Sequence, residues 1–349
     1  MAVSSVPRHP DVARVETPRG LWRVRRLPET TTAERLGFVH ASLAEMHAAG
    51  IEEIPVAASL PGRDDTILIL ADRLFDAQRW LPGTAAAAPR ARGDERADVP
   101  ATLTDPLFDE VAAVLARCHT ATERPVTGDG AVGSLNRMAD AVRRTWEAHR
   151  AALRPVVAST PAVQRWVRVG ERVLPAASAT IAGSPALSDA ADVVTHHGLW
   201  PARILVDGDR VRGLVGWDET AVGSPLIDLA QLAGRLRGWD AETAERTLVA
   251  YGSVRPLSPE LRRVLPAVVA LDLVAEAGRL LVLAFVPRSA EAAPPAAALR
   301  AGAQDLLQSL ERIAAVVAKG DAPDRPVRRA WRHRPRPADA PRRPSRRPR

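Results

Sequence analysis

Lysine is almost missing from this chain of 349 residues, which carries Lys319 alone beside 47 arginines. Arginine is therefore the background cation here, so an arginine by itself does not mark a binding site. Cysteine is equally scarce. Cys118 is the only one, which excludes an internal disulfide and a thiolate metal cluster. Apolar residues at helical spacing precede it and predict a buried structural thiol rather than a nucleophile: Leu107, Val111, Val114 and Leu115.

The chain also lacks a long uninterrupted apolar run. Its most apolar region, 265–286, contains Asp272, Glu276 and Arg279, and these charges cost too much for a bilayer span. No stretch near residue 1 has the charged-then-apolar layout of a signal peptide. Since 46% of the residues are hydrophobic, there is enough apolar surface to build a core. We therefore expect a soluble, cytoplasmic protein with no membrane partner.

The net charge of +7 is concentrated at the C-terminus. Residues 320–349 hold eleven arginines and three aspartates, a net +8, which leaves −1 for residues 1–319. This Pro- and Arg-rich tail cannot bury enough apolar surface to offset its ordering entropy, so we expect it to be disordered. Such a tail could attract nucleic acid or an acidic surface through salt-sensitive contacts, or be a solvated extension in an arginine-rich protein.

Residues 1–83 are predicted to form a small sheet with one helix. The stretch 11–27 alternates on both sides of a Thr17–Gly20 turn and predicts a β-hairpin. A helix follows, with Thr31 and Glu34 at capping-box spacing, an apolar stripe, and Gly50 at its end. The stripe comprises Leu36, Val39, Leu43 and Met46. Two further strands are predicted near 55–60 and 66–71.

Beyond Gly83 the composition changes. The low-complexity segment 84–105 predicts a flexible hinge. Helices then dominate 106–319, the first running from Asp105 to about His119 and others fitting 131–152 and 159–173. Within them, a β-hairpin at 203–217 is predicted by two β-rich runs that flank Asp207-Gly208. This pattern predicts an α+β, bilobal plan with a small β-sheet lobe and a large, mainly helical lobe.

The stretch 194–232, "VTHHGLWPARILVDGDRVRGLVGWDETAVGSPLIDLAQL", resembles the aminoglycoside phosphotransferase and choline kinase-like family. That family's catalytic region has the form HGDLWPGNVLV, a hairpin, and then GVIDWEDAGxGDPLxDLA. "WLPG" at 80–83 resembles the family's hinge exit, and weaker similarity covers about 11–319. The resemblance implies a protein kinase-like fold. The family has a strand and a phosphate-covering loop ahead of the hairpin, so the roughly ten residues here imply a truncated small lobe or a start upstream of Met1.

In that family, phosphoryl transfer uses a loop Asp that orients the hydroxyl, an Asn and a second Asp that hold Mg²⁺, and a small-lobe Lys that steadies the phosphates. Aligned without a gap, His196 takes the family's His position, Gly198 the catalytic Asp, and Arg203 the metal-binding Asn. A one-residue gap would instead delete the Asp. In both alignments the catalytic Asp is missing. After the hairpin, Gly216 takes the position of the second metal-binding Asp.

The small lobe has no lysine for the phosphate site, so the resemblance implies arginine there, at Arg25. Trp80, at the hinge, is the other candidate cofactor-binding residue. Asp218 is the candidate to replace the acid that is missing at Gly216. Because it stands two residues later, its side chain would point to the same side if the backbone is extended. It equally matches the acid that follows Trp in the family motif. His196, Trp200 and Trp217 are expected to have structural roles.

These replacements imply a pseudokinase that binds a small ligand or a protein partner, with no cofactor and no metal site. The alternative is an atypical small-molecule phosphotransferase that uses ATP and Mg²⁺ through Asp218, with Asp207 or Asp209 assisting. A third interpretation is binding of nucleic acid or an acidic partner through the tail. The eight histidines have no metal-ligand spacing on a helix, so we expect no zinc site.

Overall fold

The computed structural model describes residues 2–6, 9–59, 66–86, 103–125, 130–286 and 295–318. The predicted tail at 320–349 and most of the predicted hinge, 87–102, lie outside these residues. Among the described helices, none combines the length and the apolar character that crossing a bilayer requires.

The small lobe is built on a five-stranded antiparallel sheet in the order β1-β2-β3-β5-β4. The predicted hairpin is formed by β2 and β3, which pair from Val12↔Arg25 to Thr17↔Gly20. Ahead of this hairpin the first residues form β1, a strand that was not predicted and that pairs antiparallel with β2. The strands are Ala2–Val6 (β1), His9–Thr17 (β2), Gly20–Arg26 (β3), Ile67–Leu70 (β4) and Arg73–Arg79 (β5).

In this lobe one predicted strand is absent and a further strand that was not predicted is present. Residues 55–59 do not form a strand, and the β-bridge there is the isolated one from Ala57 to Gln78; residue 60 of the predicted strand lies outside the described residues. The strand that does lie beside β3 is β5, which was not predicted. Its inward-facing residues Asp76 and Gln78 are polar although both are buried. An inward face of this kind hides the apolar alternation by which a strand is recognised.

The helix of the small lobe, α1, spans Ala33–Ala48. Its N-cap is Thr32, whose hydroxyl accepts from the Arg35 amide, so the predicted capping box of Thr31 and Glu34 is wrong by one residue. Glu34 is exposed. Gly50 has φ 81°, the left-handed conformation expected just after a helix end. The predicted apolar stripe is buried and faces the rest of the protein.

The large lobe packs around α7, a helix so apolar that it is buried on nearly all sides. Its charged Asp272 is buried and receives two hydrogen bonds from Arg235, of 2.7 and 2.5 Å. α4 continues past the predicted end at 173 despite Pro175. The helices are Asp105–Ala121 (α2), Gly130–Leu153 (α3), Pro161–Ala182 (α4), Leu226–Gln231 (α5), Ala241–Gly252 (α6), Pro259–Phe285 (α7) and Ala296–Ala318 (α8).

Short strands of the large lobe face the small lobe. The predicted hairpin is present as β8 and β9, with Gly208 at φ 58° in its turn. Residues 84–85 pair with β8 instead of belonging to the flexible segment. The pairing of β7 with β10 was not predicted; it brings the two ends of the motif region together. The strands are Thr84–Ala85 (β6), Val193–Thr195 (β7), Ile204–Asp207 (β8), Arg210–Leu214 (β9) and Ala221–Gly223 (β10).

Candidate functional site

The loop that follows β7 is held by the buried carboxylate of Asp228. Its oxygens accept from the backbone amides of His196 and His197, at 2.6 and 2.9 Å. The ring Nε2 of His119 lies 3.1 Å away. Burial alone would raise the pKa of Asp228, but the hydrogen bond and charge of His119 lower it to about 2. These bonds hold His197 in the left-handed conformation, with φ 61°.

His196, the first residue of this loop, has a fully buried side chain. Its Nε2 lies 3.0 Å from the Val215 carbonyl, and its Nδ1 accepts from the Gly198 amide at 3.2 Å. These two contacts are those of a neutral ring that carries its proton on Nε2. Burial lowers the pKa of His196, consistent with that neutral form. The ring also packs on buried Trp217, at a centroid distance of 4.6 Å.

Arg203 fills the space between Gly198 and Gly216. A Cβ added to Gly198 would lie 1.8 Å from the Arg203 Nη1, and one added to Gly216 would lie 2.7 Å from the Arg203 Cδ. The guanidinium donates to the Gly216 carbonyl and to Glu219, both at 3.0 Å. Gly216 has φ 82°. The two glycines and the arginine therefore form one packed unit, in which the arginine takes the volume that larger side chains would need.

Arg25, on β3, is bound by two carboxylates. Asp76 accepts from its Nε and Nη2 at 3.2 and 3.1 Å. Asp218, from the large lobe, accepts from its Nη1 and Nη2 at 2.8 and 2.6 Å. Arg35 also donates to the Asp218 carbonyl, at 2.7 Å. Asp218 therefore points at the small lobe, and its contacts with Arg25 and Arg35 join the two lobes.

The charges in this cluster lower the pKa of both of its carboxyl groups. Burial opposes ionisation of Asp218, but the hydrogen bond and charge of Arg25 hold its pKa below the ordinary range. Asp76 likewise has a lowered pKa, because His40, 3.8 Å away, and Arg25 outweigh its burial. Both acids are thus ionised at neutral pH, and their charge is directed at Arg25.

A cavity of about 440 Å³ lies between the lobes beside this cluster. Trp80 lines it, and the Arg14 guanidinium carbon lies 5.6 Å from the Trp80 ring. Leu205 and Val215, from the hairpin region, close it on the large-lobe side. Arg203 and its two glycines are not among the cavity's lining residues. The sequence-predicted residues therefore divide into two places, the cavity with Arg25 and Trp80, and the packed unit around Arg203.

Other predicted residues lie away from the cavity. Trp200 is half-buried, and the Arg235 guanidinium carbon is 5.2 Å from its ring. Asp207 and Asp209 are exposed at the hairpin turn, where Asp207 pairs with Arg212 at 3.2 Å. In the part of the chain that the structure describes, no cluster of three or more His, Cys, Asp or Glu side chains could hold a metal.

Sequence reasoning missed Arg23, Asp76 and Gln78. A signal for Arg23 was present: in β3 it stands two residues before Arg25, and alternate residues of a strand face the same side. Both arginines do line the cavity. Asp76 and Gln78 had no such signal, because their strand was not recognised.

Several solved structures share the fold of this chain. An aminoglycoside phosphotransferase from Alicyclobacillus acidocaldarius is 14% identical, with 92% of this chain and 91% of that chain covered and a TM-score of 0.60. A microcompartment-associated aminopropanol kinase is 16% identical, with 91% and 93% covered and a TM-score of 0.59. A Plasmodium vivax ethanolamine kinase is 9% identical, with 88% and 81% covered and a TM-score of 0.53.

These likenesses establish the kinase-like, bilobal α+β fold. A comparison with curated proteins finds no match. The model of one protein family, described as the phosphotransferase enzyme family (APH), matches residues 7–265. Because that match spans most of both lobes, the chain belongs to the phosphotransferase enzyme family.

Proposed function

We propose that this chain is a pseudokinase, a member of its family that binds a ligand or a partner without transferring phosphate. The observation that carries the proposal is the position of Arg203, whose guanidinium fills the space in front of Gly198 and Gly216. The resemblance assigns those two positions to the catalytic and metal-binding acids. A cation at that point repels the dication that phosphoryl transfer in this family uses.

The residues present do not fit Mg²⁺. Magnesium in proteins is held by carboxylate oxygens in near-octahedral geometry. Among the residues that the structure describes, the carboxylate that pairs with Arg203 is that of Glu219, which is mostly exposed and already accepts from the guanidinium. Apart from one Glu219 oxygen, the atoms nearest to a Cβ at Gly198 or Gly216 belong to Arg203. We therefore derive no step through a metal.

The small-lobe cation supports the same proposal. The resemblance places Arg25 where a lysine would steady the phosphates. Its guanidinium is held by Asp76 and Asp218, through four contacts between 2.6 and 3.2 Å. A phosphate would have to displace one of these carboxylates. The arginine therefore acts as an internal ion-pair partner rather than as a free anion receptor.

Isothermal titration of the full chain with ATP, with and without Mg²⁺, tests the proposal. We expect that Mg²⁺ does not strengthen any binding, and that ATP incubated with the protein yields no ADP above the blank. A rebuilt variant carrying Gly198→Asp, Arg203→Asn and Gly216→Asp is the comparison, since Asp is one of the residues that tolerate a left-handed φ. Magnesium-enhanced binding or ADP formation by the unaltered chain would overturn the proposal.

An atypical small-molecule phosphotransferase is the second candidate, because the Asp218 carboxylate lies between the lobes beside Arg25. In that case ATP and Mg²⁺ would be the cofactors, and Asp218 would have to leave Arg25 to reach them. ATP hydrolysis that disappears in Asp218→Ala but persists in Glu219→Ala would favour this candidate. Equal rates in the two variants would remove it.

A role for the tail is a separate proposal. Its net charge of +8 would give salt-sensitive binding to nucleic acid or to an acidic surface. Deletion of 320–349 is expected to abolish any such binding and to flatten its dependence on salt. Unchanged binding after the deletion would exclude the tail.

A further inference from the structure

The charged side chains that line the cavity between the lobes are all cationic. Its lining includes three arginines, Arg23, Arg25 and Arg79, and no carboxylate. The rest of the lining is mainly apolar and aromatic, with Trp80 and Leu81 prominent. A ligand that fills the cavity therefore meets both a cationic side and an apolar side.

The three arginines are not equivalent. Arg25 is neutralised by Asp76 and Asp218, and Arg79 is exposed to solvent. The Arg23 side chain has no hydrogen-bond or ion-pair partner among the residues the structure describes, and its Nε is buried. Burial and the charge of neighbouring Arg25 lower its pKa against the opposing charges of Asp76 and Asp218, and the guanidinium stays ionised at neutral pH. A buried donor without a partner is costly, and an anion in the cavity would supply one.

Arg23 also lies between Arg25 and the connection to the large lobe. In the β3–β5 ladder Arg25 is opposite Asp76, whereas Arg23 is opposite Gln78, one pair from Arg79. Trp80 and Leu81 follow Arg79 directly along the chain. Along the strand, Arg23 is therefore closer than Arg25 to the register of Trp80 and Leu81, which line the same cavity.

We propose that this cavity binds an organic anion, an acid group on an apolar or aromatic body, with Arg23 receiving the acid group and no divalent cation involved. This inference rests on the proposed binding function and names the class of its ligand. A carboxylate and a phosphate monoester share the chemistry that a guanidinium recognises. The volume of about 440 Å³ lies in the range of small-molecule sites.

The test uses naphthalene-2-carboxylate, its neutral analogue naphthalene-2-carboxamide, and 2-naphthyl phosphate, each titrated calorimetrically into the full chain without metal. We expect both anions to bind at least about tenfold more tightly than the amide, the factor that one charge-assisted hydrogen bond supplies. Whichever of the two anions binds more tightly identifies the acid group, carboxylate or phosphate, that the site prefers. In Arg23→Met, which keeps the apolar length, the preference over the amide should disappear.

Arg26→Met is the matched control, since Arg26 is on the same strand, is exposed, and pairs with Asp11 at 2.5 Å. It should keep the preference, and Arg23→Lys should keep part of it. Circular dichroism and a melting curve establish that each variant is folded. Equal binding of anion and amide, no binding of either anion, or an unchanged preference in folded Arg23→Met would overturn this inference without affecting the pseudokinase proposal. Turnover of Mg·ATP would overturn that proposal instead.

Discussion

The packing of Arg203 against Gly198 can be tested by adding one methyl group. In Gly198→Ala, the new Cβ would lie 1.8 Å from the Arg203 Nη1 and 2.9 Å from its Cζ. The backbone itself accepts alanine, because Gly198 is not among the glycines with positive φ. The guanidinium must therefore move, and it can do so, being the end of a flexible side chain. The same substitution in an Arg203→Ala background meets no guanidinium.

The magnitude follows from what Arg203 gives up when it moves. Its Nη1 donates to the Gly216 carbonyl at 3.0 Å, and a hydrogen bond from a charged donor contributes about 1.5 kcal/mol or more. The contact with Glu219 adds little, because that carboxylate is 59% exposed. We expect Gly198→Ala to lower the free energy of unfolding by about 1–2 kcal/mol. Without Arg203 it should cost nothing or stabilise by about 0.5 kcal/mol, because alanine restricts the unfolded chain.

The assay is urea unfolding followed by tryptophan fluorescence for the unaltered chain, the two single variants and the double variant. The expected coupling energy is about 1–2.5 kcal/mol, well above the additivity error of about 0.5 kcal/mol. Gly216→Ala is the comparison that should stay costly in both backgrounds, since its φ of 82° strains any alanine. If Gly198→Ala costs the same with and without Arg203, the guanidinium does not occupy that space, and the pseudokinase proposal loses the observation that carries it.

Three further predictions concern the same region and its support. Asp218→Ala should lower the free energy of unfolding by about 1 kcal/mol, discounted because the side chain is 45% exposed, whereas Glu219→Ala should cost less than about 0.5 kcal/mol in the same urea titrations. The lowered pKa of buried His196 means that below pH 6.5 the unfolded chain binds a proton that the folded chain does not. Stability should therefore decrease as the pH is lowered below about 6.5, and His196→Gln should make that slope shallower by up to about 1.4 kcal/mol per pH unit; parallel pH profiles would contradict this. Cys118 is fully buried, which raises its pKa, so it should react with a thiol-specific disulfide reagent only at the rate of unfolding.

The scaffold was largely predictable because its signals are local. The turn at Thr17–Gly20, the helix that ends before Gly50, and the Asp207-Gly208 hairpin each depend on residues close in sequence, and all three are present. Strand β5 was missed for a physical reason. Its buried positions carry Asp76 and Gln78, and polar residues can be inward-facing where a charged partner satisfies them.

The partners of the site residues could not be predicted in the same way. Arg25 was identified from its position in the small lobe, but its carboxylates lie 51 and 193 residues away along the chain. No periodicity joins positions so distant. The filling of the space at Gly198 by Arg203 is also a matter of side-chain volume, which becomes visible only when the loop and the hairpin are brought together in space.

The arginine at position 25 and the engagement of Asp218 are physically linked. An ammonium is a compact charge with three donors, whereas a guanidinium has five donors in a rigid plane that matches carboxylates two oxygens at a time. Arg25 makes four hydrogen bonds in that plane, two to Asp76 on one side and two to Asp218 on the other. Asp218, a carboxylate that reaches between the lobes next to this strand, is thereby neutralised by the residue to which the resemblance gives the lysine position. Restoring an acid at Gly198 or Gly216 alone would leave this ion pair in place. Asp218 itself could join a metal site only after a change at Arg25, since the guanidinium would otherwise continue to hold it.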